Sequence, residues 1–345
     1  MKDAAFAIPG DINTLTGGYI YERRLLEGLR AHGHDMVHIE LGDSFPAPTE
    51  SDKAHAIEAL VALPPERALI LDGLVYGSIA TEGLAHVKAP IVAMIHHPLA
   101  LETGLDKATA DHLFRTERDN LALAQAVLVP SPHTADILTR DYAVPPAKIT
   151  IARPGTERPE LPHAPTEPPL ILSVGILHPR KGHDTLLSAL ARLVHLDWRA
   201  VIVGTPYDAA HVETLERMRH DLGLTHRVAL VGKQDRDALF RLYSEATLFA
   251  LATRYEGYGI VFDEALARGL PIVSCATGAV PQTVPQDAGL LVPTDDPAAL
   301  AGALETMLTD TETREAMTRA AIAAGAALPS WDDTSATASK VLNAL

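Results

Sequence analysis

An alternation runs through almost the whole chain and leaves few folds open to it. Short runs rich in β-branched and apolar residues are separated by Ala/Leu-rich amphipathic stretches. The strand-like runs are Ala4–Ile8, Met36–Leu41, Ala68–Leu71, Ile91–Ile95, Ala126–Pro130, Thr150–Ala152, Leu170–Val174, Ala200–Val203, Val228–Val231, Leu248–Ala250, Pro271–Ser274 and Gly289–Val292. Helical periodicity falls on Gly18–His32, Asp106–Ala124, His133–Tyr142, Asp184–Leu193, Ala209–Leu222, Arg236–Glu245, Ile260–Arg268 and Pro297–Thr309. Strictly alternating strands and helices imply parallel sheets, because a parallel neighbour needs a crossover long enough to hold a helix. The expected class is α/β, with doubly wound sheets.

At 345 residues the chain is long enough for two domains. The segment 158–169, RPELPHAPTEPP, breaks the alternation with a proline-dense stretch of neither period. We therefore expect an N-terminal domain over 1–165 and a second over 166–330. A closing helix, 331–345, follows the break at Pro329-Ser330. Open α/β sheets bind ligands beyond the carboxyl ends of their strands. Two such ends turned towards one another would form a central cleft.

The formal net charge is −15, and both halves of the chain are acidic. That argues against nucleic acid as a partner, since binding phosphate backbones needs a basic face. The single cysteine, Cys275, lies in an apolar run and reads as a buried thiol. The first ten residues lack a secretory pattern, and no apolar run reaches membrane-spanning length, so the expected location is cytoplasmic.

Several strand-end loops could carry chemistry. In Arg254–Glu264, RYEGYGIVFDE, Gly257 and Gly259 sit where a strand turns into a helix. Glycines let backbone approach a ligand, and the helix start offers N–H groups to a phosphate. Glu256 and Glu264 flank the turn, and carboxylates accept from sugar hydroxyls. In Gly175–Gly182, GILHPRKG, adjacent Arg180 and Lys181 follow a strand and form a compact cationic site suited to a diphosphate. Gly17 and Gly18 open a helix after the first strand without making a G-x-G-x-x-G fingerprint. His96 and His97 follow the fourth strand, and neighbouring side chains on an extended chain point apart and chelate poorly. Asp235-Arg236-Asp237 is similar to a metal-holding D-x-D but opens a predicted helix and reads as a cap. His32, His34 and His38 surround a turn and show no metal pattern.

In order along the chain, Gly17-Gly18, His96, Ser131, Arg153-Pro154-Gly155, Ser173-Val174-Gly175, Arg180-Lys181-Gly182, Val203-Gly204, Glu256-Gly257-Tyr258-Gly259, the run from Glu264 to Pro271, and Gly289–Val292 resemble the family 4 (group 1) glycosyltransferases. Seven residues separate Glu256 from Glu264, the family's spacing. The resemblance implies the GT-B architecture, two Rossmann-like domains about a central cleft. It implies a hexosyltransferase-type enzyme that retains anomeric configuration, with a UDP- or GDP-sugar as donor. No metal and no cofactor are implied. His96, Arg180, Lys181 and Glu256 would be catalytic. Gly17, Gly18, Gly204, Lys233, Gln234, Gly257, Tyr258, Gly259 and Glu264 would bind the donor. One departure stands out: many members carry arginine where this chain has Ile176.

The acceptor is expected on the first domain, around Leu99–Leu105 and Asp106–Ala124. The stretch Pro46–Leu60 is acidic and Pro/Ala-rich, unlike the basic helix of lipid-modifying relatives. That favours a carbohydrate or small-molecule acceptor, with a lipid acceptor and peripheral membrane contact left open. Two alternatives share the fold: a sugar-nucleotide epimerase, and a catalytically silent homologue that only binds the sugar nucleotide.

Overall fold

A computed structural model describes residues 2–102, 104–158 and 161–345. Pro159 and Glu160 of the proline-dense stretch, and Thr103 of the expected acceptor loop, lie outside the described residues. Two compact units partition the chain: residues 1–155 with 329–345, and residues 156–328.

In the first unit the order is β1 Ala4–Pro9, α1 Gly17–Ala31, β2 Met36–Leu41, α2 Glu50–Val61, β3 Ala68–Asp72, α3 Gly73–Tyr76, α4 Thr81–Leu84, β4 Ile91–Met94, α5 Lys107–Leu121, β5 Ala126–Val129, α6 Pro132–Arg140 and β6 Ile149–Ile151. The second unit continues with β7 Leu170–Val174, α7 His183–Leu190, β8 Arg199–Val203, α8 Ala209–Asp221, β9 Val228–Leu230, α9 Arg236–Glu245 and β10 Leu248–Leu251. It ends with α10 Ile260–Ala267, β11 Ile272–Cys275, α11 Val280–Thr283, β12 Gly289–Val292, α12 Pro297–Thr309 and α13 Thr311–Ala326; α14, Trp331–Asn343, belongs to the first unit.

Each unit holds one six-stranded parallel sheet, ordered β2-β1-β3-β4-β5-β6 and β12-β11-β10-β7-β8-β9. The expected α/β class with two Rossmann-like domains is thus found. Central strands such as β1, β3, β7 and β10 are buried along their whole length, as strands covered on both faces must be. Edge strand β2 mixes buried and exposed positions. Apolar layers cover both faces of each sheet.

All twelve expected strands are present, within one residue at nearly every end. Two long helices differ from expectation. The acidic, Pro/Ala-rich stretch forms α2: Pro46 and Pro48 precede its start, and Thr49 caps it by accepting from the Asp52 amide. Helix α13 follows α12 after a single residue, Asp310, whose side chain caps it.

The chain order reverses between β1 and β3 in the first sheet and between β7 and β10 in the second. At such a switch point the loops leaving two adjacent strands diverge to opposite faces and open a crevice. Of the sequence-predicted residues, Gly17 and Gly18 follow β1, Arg180 and Lys181 follow β7, and Glu256–Gly259 follow β10, while His96, Gly204 and Lys233-Gln234 follow β4, β8 and β9.

Candidate functional site

In the second unit, the loops leaving β7 and β10 are clipped together. The Arg254 amide donates to the Arg180 carbonyl at 2.8 Å, and the Arg180 guanidinium donates to the Tyr255 carbonyl at 2.8 Å. Arg254 is itself fixed by Asp184 at 2.8 Å and Asp295 at 2.7 Å, a bracing role. The result brings Arg180, Lys181 and Glu256 together. Lys181 Nζ lies 2.6 Å from Glu256 Oε1, and Arg180 Nη1 lies 3.7 Å from Oε2. Thr253 Oγ1 donates to the same carboxylate at 2.9 Å. Glu256 is only 5% exposed. Burial pushes its carboxyl up, but Lys181 and Arg180 outweigh that and hold it below the usual carboxylate range. It is an anion at neutral pH, flanked by two cations.

Gly259 caps α10 with φ +90°, a conformation that favours glycine. The α10 amides therefore start beside the Glu256 loop. Tyr258 is buried and donates through its hydroxyl to Asp263. Glu264 accepts from the Tyr243 hydroxyl at 2.8 Å, and burial raises its carboxyl above the ordinary value. Gln234 is half-buried and donates to the Val231 carbonyl at 2.7 Å, while Lys233 is exposed. At Gly204 a Cβ would sit 1.9 Å from the Gly175 carbonyl oxygen, so glycine there serves the close approach of two loops. Ile176 leads the loop carrying Arg180, and its carbonyl accepts from the His178 amide at 2.8 Å. Asp235 caps α9 by accepting from the Ala238 amide at 2.8 Å, the role expected for it.

In the first unit, Gly18 faces His96: a Cβ there would lie 3.7 Å from the ring, in open contact. Packing therefore does not require glycine at this position. Gly17 begins α1. His96 Nε2 lies 3.3 Å from Glu22 Oε1 of α1, and the His96 carbonyl accepts from Thr134 at 3.3 Å. Tyr21 meets the ring edge-on at 5.3 Å. Burial lowers the basicity of His96 despite the opposing field of Asp72. His97 instead pairs with Glu102 at 2.8 Å, while Ser131 caps α6. His34 is held structurally by the Lys2 carbonyl and Ser339, both at 2.7 Å.

Sequence reasoning missed Glu22, Asp72 and Thr253. Asp72 had a readable signal: a carboxylate ending the apolar run Ala68–Leu71, at a strand's carboxyl end. Glu22 had none, since acids are ordinary on amphipathic helices.

Residues 156–324 match the model of the glycosyl transferases group 1 family. Over 219 residues, 58% of this chain, the sequence is 31% identical to the D-inositol 3-phosphate glycosyltransferase of Corynebacterium diphtheriae. Over 176 residues, 48% of this chain, it is 34% identical to a GDP-mannose-dependent alpha-(1-6)-phosphatidylinositol monomannoside mannosyltransferase of Mycobacterium tuberculosis. The matched stretches span 51% and 43% of those relatives, about half their length. Among solved structures, sucrose-phosphate synthase from Thermosynechococcus elongatus superposes with a TM-score of 0.82 at 21% identity, covering 100% of this chain and 99% of that one. An Anabaena protein, HepE, solved with UDP and glucose, superposes at 0.78 with 15% identity over all of both chains. At these identities the structural likeness establishes the fold.

Proposed function

Residues 156–324 match the group 1 glycosyl transferases, and from that likeness we propose that the chain transfers a hexose from a UDP- or GDP-sugar to an acceptor hydroxyl with retention at the anomeric carbon. The observation that carries this reading is the buried cluster of Arg180, Lys181 and Glu256 at the switch point of the second sheet. Its chemistry is two-sided. Two fixed cations suit a diphosphate, and an ionised carboxylate beside them suits sugar hydroxyls. The α10 amides following Gly259 add further donors for phosphate oxygens.

Transfer breaks the bond between the anomeric carbon and the diphosphate oxygen and forms one to the acceptor oxygen. The nucleoside diphosphate leaves with the bonding pair and its oxygen takes up the proton that the acceptor hydroxyl releases. Arg180 and Lys181 would stabilise the negative charge that grows on it, an effect that is large where water is excluded. Glu256 would hold the transferred sugar by its hydroxyls, Glu264 the ribose, and the backbone at Lys233-Gln234 the base. Gly17 and Gly18 would admit the diphosphate close to the chain, and His96 would stand beside the reacting centre. Relatives named for inositol phosphate and phosphatidylinositol mannoside acceptors support a polyol or sugar acceptor.

The test is calorimetric titration of UDP-, GDP- and ADP-sugars into the wild type and Glu256→Gln, with melting curves confirming that both are folded. One nucleotide class binds the wild type, and the variant binds it at least tenfold more weakly, about 1.4 kcal/mol. Equal binding by the two proteins removes the proposal. Product NMR then checks the chemistry: an α-linked glycoside from an α-linked donor, formed only with acceptor present.

A further inference from the structure

The carboxyl ends of β3 and β4 and the start of α1 bring together three ionisable groups that the proposed transfer leaves largely unused. Glu22 is 1% exposed and Asp72 3% exposed, and one donor atom from each of Glu22, Asp72 and His96 lies within 4.8 Å of the others. Burial and the neighbouring Glu22 carboxylate both raise Asp72 above its ordinary value. Asp72 also accepts from the Leu74 amide at 2.8 Å. Two carboxylates this close and this buried cannot both ionise, so the pair must hold a proton. His96 Nε2 meets Glu22 on its other side at 3.3 Å. Burial and the fields of Asp72 and Glu22 raise the Tyr19 hydroxyl of α1; burial and the field of Glu22 raise that of Tyr21.

We propose that Asp72 and Glu22 form a proton-sharing pair that positions His96: protonated Asp72 donates to Glu22, and ionised Glu22 accepts the Nε2 hydrogen of the imidazole. A carboxylate oxygen opposite Nε2 requires the hydrogen to be on that nitrogen, which leaves the lone pair on Nδ1. The edge of Tyr21 and the Glu22 contact together fix the ring plane. Glu22 and Asp72 are positioning residues in this scheme and touch no substrate. Burial raises Glu22 to about 7 and lifts Asp72 well above its ordinary value, which agrees with Asp72 carrying the proton. As pH falls through about 7, Glu22 takes up a proton and its hold on the Nε2 hydrogen is lost.

The catalytic consequence rests on the reading of His96 as a group beside the reacting sugar, but the hydrogen-bond chain does not, so the test reads the two separately. Nitrogen-15 NMR of the histidine-labelled full chain at pH 8 should show His96 protonated on Nε2. In Glu22→Gln and Asp72→Asn, both close to isosteric, that preference should weaken, and Glu22→Asp should restore part of it. In the transferase assay, wild-type kcat should rise as pH passes through about 7. Glu22→Gln should lower kcat about tenfold, leave the donor KM within about twofold, and lose that rise. If the tautomer shifts as stated but kcat does not change, the positioning stands and the role assigned to His96 falls. An Nδ1-protonated wild type, or an unchanged tautomer in both variants, overturns the proposal. So does tight uptake of one equivalent of Mn²⁺ or Zn²⁺ by the wild type that Glu22→Gln abolishes, because the cluster would then hold a metal ion in place of the proton.

Discussion

Glu256 and Lys181 illustrate how a functional reading and a stability reading meet in one side chain. Removing one partner of a buried pair strands the other charge, at a cost of about 3–5 kcal/mol. Lys181→Met should therefore destabilise the second unit even without ligand, with Arg180, 3.7 Å from the carboxylate, offsetting part of the loss. The double variant Lys181→Met/Glu256→Gln removes both charges and should recover most of that stability while donor binding stays lost. Urea unfolding of the two singles and the double checks this; strictly additive losses would mean the pair is not coupled. A second buried acid gives a pH prediction. Glu117 is fully buried, accepts from the Leu99 amide at 3.2 Å, and burial raises it to about 8. An acid whose folded pKa is raised binds its proton more tightly in the folded state. The resulting stability is complete below its unfolded value and is lost as pH rises towards about 8. At 1.36 kcal/mol per unit, that loss is on the order of 4–5 kcal/mol. Glu117→Gln should match the wild type near pH 4.5 and exceed it in stability at pH 8.5; denaturant midpoints at the two pH values decide. Arg180, Lys181 and Glu256 were legible in the sequence because each sits in the short glycine-containing loop that leaves a strand-like run. Glu22 was not, because its partners come from β3 and β4, distant in sequence.

At the scale of elements, the strands were the most legible part of the chain, since central strands buried on both faces read as unbroken apolar runs. Helices α2 and α13 were hidden for different reasons: prolines before a helix look like breakers, and a one-residue connection leaves no loop signal. What no periodicity could show is which helix faces meet. Helix α14 packs on α1 within the first unit, with Trp331 edge-on to Tyr21 and Thr334 donating to the Arg153 carbonyl at 2.6 Å. Gly28 makes that approach possible, because a Cβ there would fall 1.8 Å from Ser335 Oγ and 2.6 Å from its Cβ. Exposed on a lone helix, Gly28→Ala would gain about 1 kcal/mol of propensity. Against α14, overpacking should outweigh it and leave a net loss of about 1–2 kcal/mol. Ser335→Gly should relieve the clash in the double variant, whereas Ser335→Ala, which keeps the Cβ, should not. Thermal midpoints of the four proteins check the order, and a stabilised Gly28→Ala would show that the two helices yield without cost.

At the scale of the whole chain, the two units differ in how they are closed, and that difference makes a prediction. The first is discontinuous and depends on residues 329–345 returning to it. The second is a single run, 156–328, whose strand order β12-β11-β10-β7-β8-β9 is the full doubly wound pattern. Its ends are joined by Arg158, which donates to the carbonyls of Gly325 at 2.6 Å and of Ala326 and Leu328 at 3.2 Å. Apolar layers on both faces of its sheet come wholly from this run. A fragment 156–328 should therefore fold alone with one cooperative transition. Arg180, Lys181, Glu256 and Glu264 all lie within it, so it should also bind the nucleoside diphosphate of the matching donor. At ligand a hundredfold above Kd, binding adds about 2.7 kcal/mol and should raise the melting temperature by several degrees. Residues 1–155 without the C-terminal segment should fail to melt cooperatively, because the α1 face under α14 would be bare. If fragment 156–328 folds but shows no nucleotide-dependent shift while the full chain does, the Arg180–Lys181–Glu256 cluster does not suffice to bind the nucleoside diphosphate.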